Sequence, residues 1–153
     1  MAVRLQDEPF DPAALLAGFG KSPETGAVVS FSGICRAEGG TLEALELEAY
    51  PGFTDREIEK MAEAARTRFG LHDLLIVHRT GKIAPGEAIV FVATAAAHRR
   101  EAFEAADQLM DYLKSRAPFW KKAHGAGGGR WIEPRLEDYE DAARWDAPQE
   151  RPA

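Results

Sequence analysis

Sulfur is scarce in this chain: a single cysteine, Cys35, stands among 153 residues. That excludes an internal disulfide framework and a CxxC metal pair, and it fits a reducing cytoplasm. Long apolar runs are missing as well, none approaching the ~20 residues that cross a bilayer. The opening residues, MAVRLQDEPF, bring acids before any apolar stretch can form, unlike a secretory signal. A broad basic face is also absent. The net charge is −6, with 19 Lys and Arg against 25 Asp and Glu, which argues against nucleic acid read across many phosphates. What is present is 45% hydrophobic residues, enough in a chain of this length for one domain over residues 1–153. Its last residues, from about 146 onward, read as a loose tail.

The charge is unevenly placed. Residues 98–122, HRREAFEAADQLMDYLKSRAPFWKK, hold six Lys and Arg against four Asp and Glu, a small basic site in an acidic chain that suits a compact anion. At 100° per residue, a helix over 98–117 aligns Phe103, Ala106, Met110, Leu113 and Ala117 as a core-facing stripe. Arg99 falls on that stripe and Lys114 at its edge, while Arg100, Asp107 and Asp111 face solvent. A cation turned toward a low-dielectric face needs a partner or a ligand, so function is expected here. His98, Arg99 and Arg100 also crowd the helix N-terminus, where an anion would relieve them. Pro118 ends the helix. Around it Lys114, Arg116, Lys121 and Lys122 place four positive charges in nine residues with no acid among them. Mutual repulsion, with Phe119 and Trp120 excluding water, would lower a lysine pKa and supply a neutral amine. Lysines after a helix C-terminus also suit the dipole as plain solvated surface, and composition leaves both readings open.

In chain order, Val3 to Leu5 reads as a short strand, and Asp11 with Pro12 opens a short helix through Phe19. Ala27 to Cys35 is a strand, ended by Arg36 before a glycine turn. Residues 42–50 alternate apolar and acidic, a half-buried strand with a solvated acidic face. Thr54 and Glu57 have capping-box spacing before a helix whose stripe is Ile58, Met61, Ala62, Ala65 and Phe69, stopped by Gly70. Leu74 to His78 and Ala88 to Thr94 are strands separated by a turn over Thr80 to Glu87. Gly125 to Gly129 lacks the GK[ST] ending of a phosphate loop and reads as a flexible hairpin or flap. Arg130 to Ile132 is the return strand, and a polar helix runs from Leu136 to about Trp145. Hairpin-like links between strands indicate an α+β fold with a mainly antiparallel sheet.

Three runs carry a resemblance: LEAYPGFTD, then VHRTGKIAPGEAIVFVATAAAHRREAF, then MDYLKSRAPFWKK with RWIEPR downstream. In order and over residues 27–145, they resemble the catalytic large subunit family of molybdopterin synthase. The resemblance implies an α/β hammerhead fold, a dimer of large subunits, and a small ubiquitin-like subunit at each outer end, giving a heterotetramer. That subunit carries sulfur as a C-terminal Gly-Gly thiocarboxylate. The implied reaction moves two sulfurs to cyclic pyranopterin monophosphate and forms the dithiolene of molybdopterin, with no metal or cofactor of its own. Carried over, the family's essential lysines fall on Lys114 and Lys121, and its substrate-binding groups on Arg36, His98, Arg99 and Arg135. Lys122 joins them as a neighbour in the basic cluster. Arg99 and Lys114 are fifteen residues apart, ~22 Å along a straight helix. One small ligand cannot span that, so the His98 end of one subunit is expected to complete the lysine pocket of its partner. Two rivals stand beside this reading: a non-catalytic module for a phosphorylated metabolite or the partner's tail, and a Schiff-base lysine enzyme.

Overall fold

The computed structural model describes residues 1–125 and 127–146. The expected loose tail beyond 146, and the tip of the glycine hairpin at Ala126, lie outside the described residues. Two strands, β4 (Asp73–Arg79) and β6 (Ala88–Ala96), carry apolar runs, Leu74 to Val77 and Ala88 to Ala93, as strands buried on both faces do. They form the middle of a four-stranded sheet in the order β1-β4-β6-β2, with β1 (Ala2–Gln6) parallel to β4 and β2 (Ala27–Ile34) antiparallel to β6. Alternation along the strands divides the core in two. Leu74, Ile76, Val90 and Val92 pack under two helices, α2 (Thr54–Phe69) and α3 (Arg99–Ser115). Leu75, Val77, Phe91 and Ala93 face the other way, toward Phe19 and Leu15 at α1 (Pro12–Ala17).

A second sheet, wholly antiparallel, has the order β5-β3-β7-β8. It contains β3 (Leu42–Ala49), β5 (Gly81–Ile83), β7 (Phe119–Gly125) and β8 (Gly128–Ile132). With helices on one sheet and mostly antiparallel pairing, the α+β expectation is met. Strand β5 was not expected within the 80–87 turn. It forms by pairing with β3, Leu45 opposite Ile83, and Arg79, only 3% exposed, donates to the Lys82 carbonyl at 3.2 Å and to Glu87 at 3.4 Å. Glu87 in turn accepts the Ala84 amide at 2.7 Å, so the segment folds around one buried guanidinium.

Helix α3 corrects the stripe read from its periodicity. The buried apolar residues are Ala102, Ala105, Ala106, Leu109 and Leu113, whereas Phe103 is 60% exposed and Arg99 is exposed. The buried face is turned by roughly 60° from the expected one at 100° per residue. Small alanines let the helix lie close against the first sheet, and Thr94 of β6 donates to the Ala102 carbonyl at 2.7 Å to hold it there. Arg99 therefore breaks no core-facing pattern, contrary to expectation. Asp107 and Asp111 are not idle solvent-side acids either. Both accept from Arg144, at 2.9 and 2.7 Å, and Asp111 also takes the Trp145 indole N–H at 2.6 Å, fastening the end of α4 (Leu136–Ala143) to α3.

Thr54 does not cap α2; the N-cap is Phe53, with no side-chain bond. Its buried hydroxyl instead accepts the Tyr50 amide at 2.8 Å and donates to the Pro118 carbonyl at 2.9 Å, clamping the link between α3 and β7. Thr54→Val keeps the shape but leaves both backbone groups unsatisfied, so we expect a loss of about 1–3 kcal/mol. Chemical denaturation of the two proteins measures it.

Candidate active site

Where α3 stops at Pro118 the chain turns straight into β7, and alternation then sorts its side chains. Lys121 sits between Leu47 on β3 and Ile132 on β8, and it projects into a hollow at the junction of the two sheets. This pocket, about 620 Å³ in volume, is also lined by Lys114 from the last turn of α3, Arg36 after β2, and Arg135 at the head of α4. Four residues widely separated in sequence thus meet at one cavity. Arg130 adds a fifth cation, against the three acids Glu38, Glu133 and Asp138, so the wall is net positive inside an acidic chain. Cavities lined by one sign of charge concentrate ligands of the other.

Lys121 is the most perturbed cation of this pocket. Burial chiefly, and the neighbouring Lys114 charge second, lower its pKa to about 8, while Asp138 opposes the shift. An ammonium this close to neutrality can hold a proton over a developing oxyanion or release one near physiological pH. Arg135 lies 3.7 Å from Asp138 and donates its backbone N–H to that carboxylate at 3.0 Å, so the same acid anchors Arg135 and tempers Lys121.

Three expected site residues are not brought there. Lys122 points to the opposite face of β7, its ammonium 5.3 Å from the centre of the Trp131 ring, because neighbouring residues of a strand face opposite ways. His98 and Arg99 stand exposed at the far end of α3 and do not line the pocket. Arg116 pairs with Asp146 at 2.6 Å, which leaves Lys114 and Lys121 as the members of the expected cluster that reach the cavity. Trp120, expected to shield the lysines, is 53% exposed on the outer face beside Trp131, and the aromatic ring that lines the pocket belongs to Phe31.

Sequence reasoning missed other residues of the wall, above all His78, Arg130 and Asp138. For His78 there was a signal, a polar side chain directly after the apolar run Leu74 to Val77. Arg130 and Asp138 gave none, since their approach depends on the pairing of β8 with β7. Cys35 sits in the wall as well, buried, its thiol pKa raised first by burial and then by Glu87 and Glu38. It is held as a thiol, ill suited to carry sulfur as a nucleophile. Among the described residues, no three His, Cys, Asp or Glu side chains converge as a metal site, and no helix is long and apolar enough to cross a membrane.

The family model described as MoaE protein matches residues 5–116. The molybdopterin synthase catalytic subunit of Caulobacter vibrioides is 66% identical over 147 residues, 95% of this chain and 98% of its own. Among solved structures, a molybdopterin biosynthesis MoaE protein from Burkholderia ambifaria MC40-6 is 41% identical, with a TM-score of 0.80 over 96% of this chain and 99% of that one. A molybdopterin synthase from Staphylococcus aureus is 27% identical, with a TM-score of 0.75, covering 84% of this chain and 94% of its own.

Proposed function

The chain belongs to the MoaE family, and from that membership we propose that it is the catalytic subunit of a molybdopterin synthase. It moves sulfur from the C-terminal Gly-Gly thiocarboxylate of a small ubiquitin-like carrier subunit to cyclic pyranopterin monophosphate, making the dithiolene of molybdopterin. The observation that carries this reading is the meeting of Lys114 and a desolvated Lys121 in a cation-lined hollow large enough for a small ring and a chain tail. Each round breaks the carbon–sulfur bond of the thiocarboxylate and a carbon–oxygen bond of the pterin and forms a carbon–sulfur bond on that pterin carbon, while a water oxygen completes the carrier's carboxylate and the displaced pterin oxygen leaves with a proton. Two rounds furnish both sulfurs.

The chain's own residues divide the work. Arg36 and Arg135 hold the anionic substrate. Lys121 keeps its ammonium beside the thiocarboxylate carbonyl, where negative charge grows as that carbon becomes tetrahedral. Lys114 is its companion in charge stabilisation and proton transfer, and the two roles are exchangeable. His98 and Arg99 act on the pocket of the other subunit of a homodimer, which with two carriers makes a heterotetramer. The cysteine content suits a cytoplasmic setting.

Mixing the purified protein with carrier and cyclic pterin tests this. A dithiolene should form with the thiocarboxylated carrier and not with the same carrier ending in carboxylate. If the thiocarboxylated carrier binds and no dithiolene forms, the site is a binding module and the assignment is wrong.

A further inference from the structure

His78 is the last apolar-facing position of β4 before the chain leaves the core, and it lines the pocket although only 3% exposed. Its ring stacks on Phe119, centres 4.3 Å apart and planes 25° from parallel, which fixes the imidazole against the start of β7. Nδ1 lies 2.9 Å from the Arg79 carbonyl oxygen. A carbonyl only accepts, so Nδ1 must carry the proton, and in a neutral imidazole Nε2 is then a bare acceptor. The ring does stay neutral: burial lowers its pKa to about 4, the Lys121 and Lys114 charges push the same way, and only the Arg79 carbonyl opposes them. Among the described residues, the Nδ1 bond is the hydrogen bond that His78 makes, and Nε2 is not among the sealed, partnerless atoms of the interior. Because His78 lines the cavity, Nε2 is the ring atom left for a ligand there.

A neutral, buried lone pair differs from the three carboxylates of this wall, Glu38, Glu133 and Asp138, and adds nothing to the hold of the cations on an anion. Arg36, Lys114, Lys121, Arg130 and Arg135 are donors, and they are what a phosphate or a carboxylate needs. An acceptor that is uncharged and cannot be protonated near pH 7 calls instead for an N–H. Resting on the function proposed above, we propose that His78 contacts the ligand directly, its Nε2 accepting a hydrogen bond from an N–H in the pocket. That donor is either on the pterin ring or in the backbone of the carrier's Gly-Gly tail. The contact would select against a ligand that offers no donor there, because the acceptor would then be buried without a partner.

The test uses the intact protein labelled with nitrogen-15 in histidine, with the His78 signals identified by their loss in His78→Gln. The free protein should show the Nδ1–H tautomer. Adding cyclic pyranopterin monophosphate and carboxylate-ended carrier in separate titrations should move the Nε2 resonance toward its hydrogen-bonded position with one of them, and the ligand that does so owns the donor. In turnover, His78→Phe keeps the stack on Phe119 but lacks the acceptor. It should raise KM for that same ligand about tenfold with kcat nearly unchanged, and His78→Gln, which supplies an amide oxygen, should recover part of the loss. A free protein carrying the proton on Nε2, or an Nε2 signal unmoved by both ligands, overturns the proposal. So does a His78→Phe enzyme with wild-type KM values. The titrations need no turnover, so a wild-type protein that makes no dithiolene would sink the sulfur-transfer reading and still leave the His78 contact to be decided.

Discussion

Lys121→Ala should lower dithiolene formation by about 10²- to 10³-fold, the usual effect of removing one preorganised donor from a developing oxyanion. Carrier binding should change little, since the other four cations of the pocket remain. Single-turnover rates and carrier affinity, measured on the same variant, separate the two. The pH profile gives the sign. Burial first and Lys114 second hold the Lys121 pKa at about 8. If the ammonium is the working form, activity is present below that value and falls as pH rises through it. Lys114→Ala removes the repulsion, so the alkaline limb should move upward toward the ordinary lysine range even as the maximal rate drops. A limb that stays in place in Lys114→Ala assigns it to another group. The same shift affects folding: the unfolded chain holds the Lys121 proton more tightly, so stability should rise with pH between about 8 and the ordinary lysine value of 10.5.

Mixing Arg99→Ala with Lys121→Ala should restore activity that neither variant has alone. Arg99 and Lys114 sit near opposite ends of α3, ~22 Å apart along its axis, and Arg99 does not line the pocket of its own chain. If the partner's helix start completes the pocket, a mixed dimer has one site with both residues intact and one with neither. Random exchange makes half the dimers mixed, so about a quarter of the wild-type sites should return. The mixture is unfolded and refolded, or co-expressed, to let subunits exchange. Activity no greater than that of the two variants measured separately would mean that one subunit supplies both residues to a site, or that Arg99 belongs to neither.

How far these features could be read before folding varied with the kind of signal. Strands β4 and β6 announced themselves as apolar runs, and the stop at Gly70 was legible because that residue takes the left-handed conformation, at φ 61°, that glycine alone adopts without strain. Lys114 and Lys121 stood out as cations clustered around a helix-ending proline, a local pattern. The face of α3 was misread for an instructive reason: periodicity cannot rank Phe103 against Ala102, and here close packing selected the small residue and left the large one outside. Lys122 was legible in principle, since strand alternation already separates it from Lys121. Thr54 was read as a cap because its partner across the fold, the Pro118 carbonyl, is 64 residues away. Arg130, Asp138 and the open edge of His78 come to the pocket through pairing of the second sheet and through one ring stack, which no local pattern encodes.

The account is tested most directly by following the sulfur itself. One turnover is run with carrier whose thiocarboxylate bears a heavy sulfur isotope, and the pterin product is weighed by mass spectrometry. Wild-type protein should yield a dithiolene with both sulfurs labelled and carrier returned as carboxylate, with Lys121→Ala leaving the label on the carrier. Label that stays on the carrier in the wild-type reaction, or reaches the pterin equally well without Lys121, would contradict it.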